Sequence, residues 1–256
     1  MPDVPPVVEL DDVDFGYAAG PPWARVHKPV LEGFSLRIEP GETVGLVGES
    51  GSGKSTVGKL CLGLLRPASG QVRFTGAPMR RLAPGTLSVV LQHPQTALNP
   101  RLSVERSVAE PLVLAGVERD RRRHRVREML EQVGLDPTFA GRYPGELSGG
   151  QRQRVSIARA LVTEPRFVLF DEAVSALDVS VQAQILNLVR SLQDARRFGA
   201  IFISHDLRAT RYVADRILVM RAGTIVDQGS AERFYTTAEH DYTRRLQLAS
   251  DIGDRT

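Results

Sequence analysis

Thr43-Val44-Gly45-Leu46-Val47-Gly48-Glu49-Ser50-Gly51-Ser52-Gly53-Lys54-Ser55-Thr56 decides the fold of this 256-residue chain. Its first five residues form a short apolar run of strand length, and over residues 55–65 the apolar positions Val57, Leu60, Cys61, Leu64 and Leu65 recur at helical spacing. Between them, Gly48, Glu49, Ser50, Gly51, Ser52, Gly53, Lys54 and Ser55, followed by Thr56, match G-x-x-x-x-G-K-[ST], in the strand, loop, helix order that the pattern requires. Phosphate oxygens need many donors converging from a tight concave backbone. Glycines supply the unusual dihedrals, and the following helix presents its positive N-terminal end. Lys54 adds a point charge toward β and γ phosphates, and the Ser55 hydroxyl is a candidate ligand for a bridging Mg²⁺. A glycine-rich turn that merely begins a helix would not need all eight positions.

Outward from this segment, composition bounds the rest. Apolar residues at 42% and charged residues at 25% exclude a disordered or fibrous chain. No stretch approaches the roughly 20 apolar residues of a membrane-spanning helix, so a membrane role is expected to come through a partner. The N-terminus, with Asp3, Glu9, Asp11 and Asp12 among prolines, lacks the basic start and apolar centre of a secretory signal, which places the chain in the cytoplasm. Cys61 is the one cysteine, excluding an intrachain disulfide or a cysteine-ligated metal site within the chain; it is expected in a helix core. The net charge of +3 arises from arginines interleaved with nearly as many carboxylates, a poor footprint for nucleic acid.

Residues 7–13 and 35–38 alternate as half-buried strands flanking a loop through Pro21 and Pro22, which predicts an N-terminal antiparallel β layer. Residues 92–162 turn mostly helical, with helices predicted over 104–114, 119–133 and 150–161. They form an inserted helical lobe in an α/β core of residues 1–91 and 163–235. Buried-strand runs at 167–170 and 200–204, separated by an amphipathic helix through Ile185, Leu188, Val189 and Leu192, predict a mainly parallel sheet. A last strand pair, 216–220 and 224–228, flanks Ala222-Gly223, and residues 236–256 form a polar helical tail.

Phe167-Val168-Leu169-Phe170-Asp171-Glu172 is an apolar strand ending in two acids. Successive strand side chains point to opposite faces, so Asp171 is assigned to the Mg²⁺ shell and Glu172 to an attacking water, as general base or orienting group. A helix cap or a solvated turn is the competing reading of such a pair. His205 follows the apolar run at 200–204 and is assigned to the γ phosphate, against the plainer reading of a surface histidine.

Leu147-Ser148-Gly149-Gly150-Gln151 precedes a helix expected to begin near Arg152, a second small-residue turn suited to an anion. In these five residues the chain resembles the ATP-binding cassette (ABC) ATPases, whose signature is LSGGQ, and the resemblance spans nearly the whole chain. It implies a P-loop NTPase fold in which ATP is sandwiched between Lys54 and its loop in one subunit and Ser148, Gly149, Gly150 and Gln151 of another. By the same resemblance Tyr17, with Phe15 and Trp23 nearby, is the aromatic that stacks on adenine. Gln92 touches Mg²⁺ or the water and reports γ-phosphate occupancy, Ser175-Ala176-Leu177-Asp178 is the D-loop with Asp178 acting across the dimer, and His205 is the switch histidine.

Two segments resemble the peptide and nickel importers of that family. Gln92-His93-Pro94-Gln95-Thr96-Ala97-Leu98-Asn99-Pro100-Arg101 follows Q-D-P-x-x-S-L-N-P-R, departing at His93 and Ala97. His240-Asp241-Tyr242-Thr243-Arg244-Arg245-Leu246 follows H-P-Y-T-x-x-L, departing at Asp241. The branch implies a second ABC ATPase subunit (a paralogue or another copy), two transmembrane permease subunits, an external substrate-binding protein and a place on the cytoplasmic face of the cell membrane. The basic run Arg121, Arg122, Arg123, Arg125 and Arg127 is either a contact for anionic lipid or permease, or a solvated helix face. ABC ATPases of DNA repair or translation would show a long coiled coil, a second cassette or zinc-binding cysteines, none of which is in the sequence; an exporter subunit is opposed only by the importer-like segments. A non-hydrolysing module is opposed by Lys54, Glu172 and His205 together.

Overall fold

The computed structural model describes residues 4–19, 26–79, 82–92, 97–234 and 240–252, in two compact units, Met1–Arg80 with Gly199–Thr256, and Arg81–Phe198. Pro21, Pro22, Trp23, His93, Pro94, Gln95 and Thr96 lie outside the described residues.

The first unit opens with β1 (Val8–Ala19) antiparallel to β2 (Val26–Ile38). The chain continues through β3 (Thr43–Val47) into α1 (Lys54–Cys61), and then β4 (Ser69–Phe74) and β5 (Ala77–Pro78) extend the first sheet from the other side of β1. One face of the hairpin pairs Val8 with Ile38, Leu10 with Leu36 and Val13 with Phe34, all buried. The hairpin is longer than its alternation suggested. Pro29 interrupts the pattern but is tolerated because β2 is an edge strand, where the missing N–H costs no ladder bond. On the other face Glu9 stands opposite both Arg37 and Arg73 and is 8% exposed. Its carboxylate accepts from Arg73 Nη1 at 3.0 Å and Arg37 Nε at 2.8 Å. The Arg73 bond, opposed by burial and aided by Arg37, holds the Glu9 carboxyl below the ordinary 4.5.

Helix α1 ends four residues earlier than its apolar spacing suggested. Gly63 at φ 67° takes the left-handed position after the last turn, with Leu64 N bonded to Lys59 O and Gly63 N to Leu60 O, a Schellman stop. Val57, Leu60 and Cys61 are buried as expected, whereas Leu64 is exposed. Burial pushes the Cys61 thiol far up, so it stays an inert core group.

The second unit contains β6 (Leu87–Leu91), α2 (Val104–Leu114), α3 (Arg119–Gln132), α4 (Gly149–Leu161), β7 (Phe167–Asp171) and α5 (Val179–Arg196). The two strands are parallel and in register from Leu87 opposite Phe167 to Leu91 opposite Asp171. The helices bury Val104, Val108 and Leu112 of α2, Val126, Met129 and Leu130 of α3, and Val155, Ile157 and Leu161 of α4. Only those three residues of α3 are buried, and its arginines are partly committed locally. Arg122 Nη1 donates to Val117 O at 2.7 Å, and Arg123 pairs with Glu105 at 3.5 Å.

The chain then returns to the first unit with β8 (Gly199–Ile203), α6 (Leu207–Val213), β9 (Arg216–Arg221), β10 (Thr224–Ser230) and α7 (Asp241–Ile252). β3 lies between β8 and β9, parallel to both, and β10 is antiparallel to β9. All residues of β3 and β8 are buried, which is why both read as unbroken apolar runs. Ala222 and Gly223 have φ 47° and 87°, the left-handed pair of a tight hairpin turn. The tail expected to be polar is only half so. Tyr242 and Thr243 of α7 are buried, and Tyr242 joins Val47, Leu207, Ile217, Val219 and Phe234 in one apolar cluster, with Leu246 packed against it.

Because the Glu9 carboxyl is lowered on folding, the ion pairs contribute stability that is present above pH 4.5 and is lost as pH falls through the folded value. The stability gap between wild type and Glu9→Gln, read by urea denaturation across pH, is therefore expected to be largest at neutral pH and to narrow below the ordinary carboxylate value. A gap constant with pH would remove the ion-pair explanation.

Candidate functional site

In the first unit the loop after β3 is shaped by backbone rather than by side chains. Gly48 has φ 146° and approaches β9 so closely that a Cβ there would lie 2.2 Å from Met220 O. Gly53, at φ 105°, is the N-cap of α1 and packs under Leu31 and Met220. Gly51, at φ 81°, has open space where a Cβ would project. Ser52 O accepts from Gly223 N at 3.0 Å, so the β9–β10 turn braces the loop from behind. Lys54 is 8% exposed, and its ammonium bends back to donate to Gly48 O and Glu49 O, each at 2.7 Å, and to Ser52 Oγ at 3.3 Å. A buried ammonium needs such acceptors, and phosphate oxygens offer stronger ones at the same concave surface.

Ser55 is exposed at the start of α1, whereas Thr56 is buried and its Oγ1 lies 3.4 Å from the Tyr17 hydroxyl. The Tyr17 ring is 41% exposed and is held edge-on by Phe15, 5.0 Å between centroids. It thus presents a free aromatic surface next to the loop helix. At the end of β8, Ser204 is buried and His205 exposed; Asp206 caps α6 by accepting from Arg208 N and Ala209 N.

In the second unit Asp171 ends β7 half-buried, and Glu172 follows at φ 50°, an uncommon left-handed position for a residue with a side chain. Register sets Leu91 beside Asp171, so Gln92 and Glu172 are the first residues beyond paired strand ends. They are joined by Ser175, whose hydroxyl accepts from Gln92 Nε2 at 2.9 Å and donates to Glu172 O at 3.0 Å. Sequence reading named Ser175 only as the first residue of a loop. Its signal was a hydroxyl three residues after the acid, a spacing suited to a local turn.

The LSGGQ turn is a capping box. Ser148 Oγ accepts from Gln151 N at 3.3 Å and Gln151 Oε1 accepts from Ser148 N at 2.9 Å, so α4 begins at Gly149, one residue before the span 150–161 expected from the pattern and three before Arg152. S-x-x-Q is the legible form of that box. Its glycines differ in role. A Cβ on Gly150 would lie 2.6 Å from Val181 Cγ1, so α4 and α5 need it small, whereas Gly149 meets nothing within 4 Å. Asp178 caps α5 through Val181 N at 2.9 Å and Ser180 Oγ at 2.7 Å, and these bonds, backbone first, hold its carboxyl low.

Known proteins resemble this chain in sequence and in fold. Residues 31–175 match the ABC transporter family. A protein of Brucella abortus (strain 2308), provisionally named a peptide import ATP-binding protein, is 44% identical over 255 residues, 94% of this chain and 75% of that protein. A similarly named protein of Brucella melitensis biotype 1 is also 44% identical, covering 94% of this chain and 67% of its own. Among solved structures, CbiO1 of Clostridium perfringens, part of the ABC transporter complex CbiONQ, superposes with a TM-score of 0.82 at 25% identity, covering 98% and 99% of the two chains. The dimeric bacterial ABC transporter cassette MJ0796 gives 0.74 at 29% identity, covering 88% and 98%.

The chain therefore belongs to the ABC transporter family. Within it, this is the subunit that binds and hydrolyses ATP to drive transport, with the mixed α/β cassette fold read from the sequence. Among the described residues no helix is long and apolar enough to cross a membrane.

Gly48→Ala is expected to cost about 1–3 kcal/mol from dihedral strain, with Met220 O adding a clash that Gly51→Ala does not meet. Thermal denaturation should show a loss of about 2–4 °C per kcal/mol for a chain of this size, larger for Gly48→Ala than for Gly51→Ala. Equal losses would contradict the close backbone approach.

Proposed function

We propose that this chain powers import of peptides, or of nickel and other metal chelates, from the cytoplasmic face of the cell membrane. It works with a second ABC ATPase subunit (a paralogue or another copy), two transmembrane permeases and an external substrate-binding protein, and takes no nucleic acid. The names of the Brucella relatives support peptides, and nickel rests on the segment from Gln92 to Arg101. Residues 92–162 act as the signature lobe on the α/β core of residues 1–91 and 163–235, with 236–256 as the tail.

Two observations, each within its own unit, carry the catalytic reading: a buried Lys54 in a glycine loop, and a left-handed Glu172 at a strand end. Water attacks the γ phosphorus as the bridging bond to the β phosphate breaks, and ADP leaves. Gly48, Glu49, Ser50, Gly51, Ser52, Gly53 and Lys54 hold the β and γ phosphates; Ser55 and Thr56 continue the cradle, and Tyr17 stacks on adenine. Glu172 orients the water or takes its proton, and His205 contacts the γ phosphate. Ser148, Gly149, Gly150 and Gln151 cover the partner's triphosphate at a helix N-terminus, with Asp178 beside them across the dimer.

Ser55, Gln92 and Asp171 offer a hydroxyl, an amide oxygen and a carboxylate, an all-oxygen set that suits Mg²⁺. The Gln92 nitrogen is engaged by Ser175, leaving the oxygen as the ligating end.

Glu172→Gln should bind ATP, accumulate as an ATP-bound dimer and lose turnover, whereas Lys54→Ala should lose nucleotide binding or turnover. Light scattering with a phosphate-release assay reads both, and native turnover in Glu172→Gln would refute the assigned role. For cargo, the subunits co-purifying from the native membrane would be identified and their binding protein titrated with peptides and nickel chelates. Binding of neither class would overturn the importer reading.

A further inference from the structure

The hydroxyl of Tyr242, at the start of α7, lies 3.1 Å from Glu49 N and accepts that loop amide's proton. Glu49 N–H and Gly48 C=O belong to one planar peptide group. Its carbonyl end is the acceptor that Lys54 Nζ uses at 2.7 Å. One peptide plane of the phosphate loop is thus gripped from both sides, by the catalytic lysine and by the C-terminal helix. An amide that donates becomes a better acceptor at its carbonyl, so the two bonds reinforce each other.

Tyr242 is held firmly enough to act this way. It is 5% exposed and packs in the cluster that contains Val47, the last residue before the loop. Arg221 lies over its ring, 5.1 Å from the centroid. The start of α7 is tied down by His240 N donating to Asp227 Oδ2 at 3.2 Å and Tyr242 N donating to His240 Nδ1 at 3.0 Å. Further along, Gln247 Nε2 donates to Phe234 O at 2.9 Å. The His240-Asp241-Tyr242-Thr243 segment therefore links β10 to the phosphate loop through a single phenol.

We propose that Tyr242 is a positioning residue for the phosphate loop, fixing the Gly48–Glu49 peptide plane so that the cradle and Lys54 are set for the triphosphate before it arrives. The inference rests on the assignment of the loop as the ATP site. Loss of the hydroxyl lets that plane rotate, and binding must then reorder it.

The test uses the full chain and MgATP with Tyr242→Phe, which keeps the ring and removes only the acceptor. The dissociation constant from calorimetric titration is expected to rise about three- to tenfold, the span of one net hydrogen bond, and amide exchange over residues 48–53 to quicken. Leu246→Ala, which weakens the same cluster without touching the loop, should lower the melting temperature and leave the dissociation constant native. Glu49→Pro removes the donor, so adding Tyr242→Phe to it should produce no further loss. Native affinity and exchange in Tyr242→Phe, or equal loss with and without Glu49→Pro, would overturn the inference. Lys54→Ala run alongside, with phosphate release measured too, separates the two readings: native binding and turnover in Lys54→Ala sink the loop assignment, while sensitivity to Lys54 with indifference to Tyr242 sinks only this one.

Discussion

Backbone meeting backbone at Gly48 is the constraint on which the nucleotide loop depends. With the carbonyl of Met220 against its α-carbon, the chain leaves β3 in a direction that no side chain permits, and the loop curls back over its own helix. The curl turns the carbonyls of Gly48 and Glu49 toward Lys54, so a buried ammonium finds acceptors in the loop's own backbone. Those carbonyl dipoles help satisfy the charge and can be exchanged for phosphate oxygens.

The same economy governs the second unit. Ser148 and Gln151 cap each other, Asp178 caps α5, and Ser175 bridges Gln92 to the backbone of Glu172. These residues, assigned to nucleotide chemistry, are also local structural elements. That dual use explains the left-handed Glu172: the strand must end abruptly at Asp171 so that the next carbonyl can meet Ser175. Strain at that position is offset by the bonds of the turn and by the burial of Ala173 and Val174 just beyond it.

Charge plays a smaller part in the scaffold. Glu9, between Arg37 and Arg73, is the deeply placed carboxylate of the antiparallel layer, and its two arginines arrive from the two strands that flank β1. The basic run of α3 reads more modestly in three dimensions, because Arg122 and Arg123 are drawn into local bonds and most of that helix is solvated.

Local order was legible in the amino-acid sequence because it rests on short-range rules. Apolar runs of strand length, the glycine pattern before Lys54, the two acids after Phe170 and S-x-x-Q at Ser148 each act within a few residues, and β3, α1, β7 and α4 appear where those rules put them. Even the early stop of α1 was written locally, in Gly63, though apolar spacing through Leu65 concealed it. What only the tertiary structure decided involves partners far apart in the chain: Met220 against Gly48, Val181 against Gly150, Arg37 and Arg73 on Glu9, and Tyr242 on the amide of Glu49. No periodicity encodes such meetings, because they depend on which elements pack together, and a tail that reads as polar turns its tyrosine inward once an apolar cluster is there to receive it.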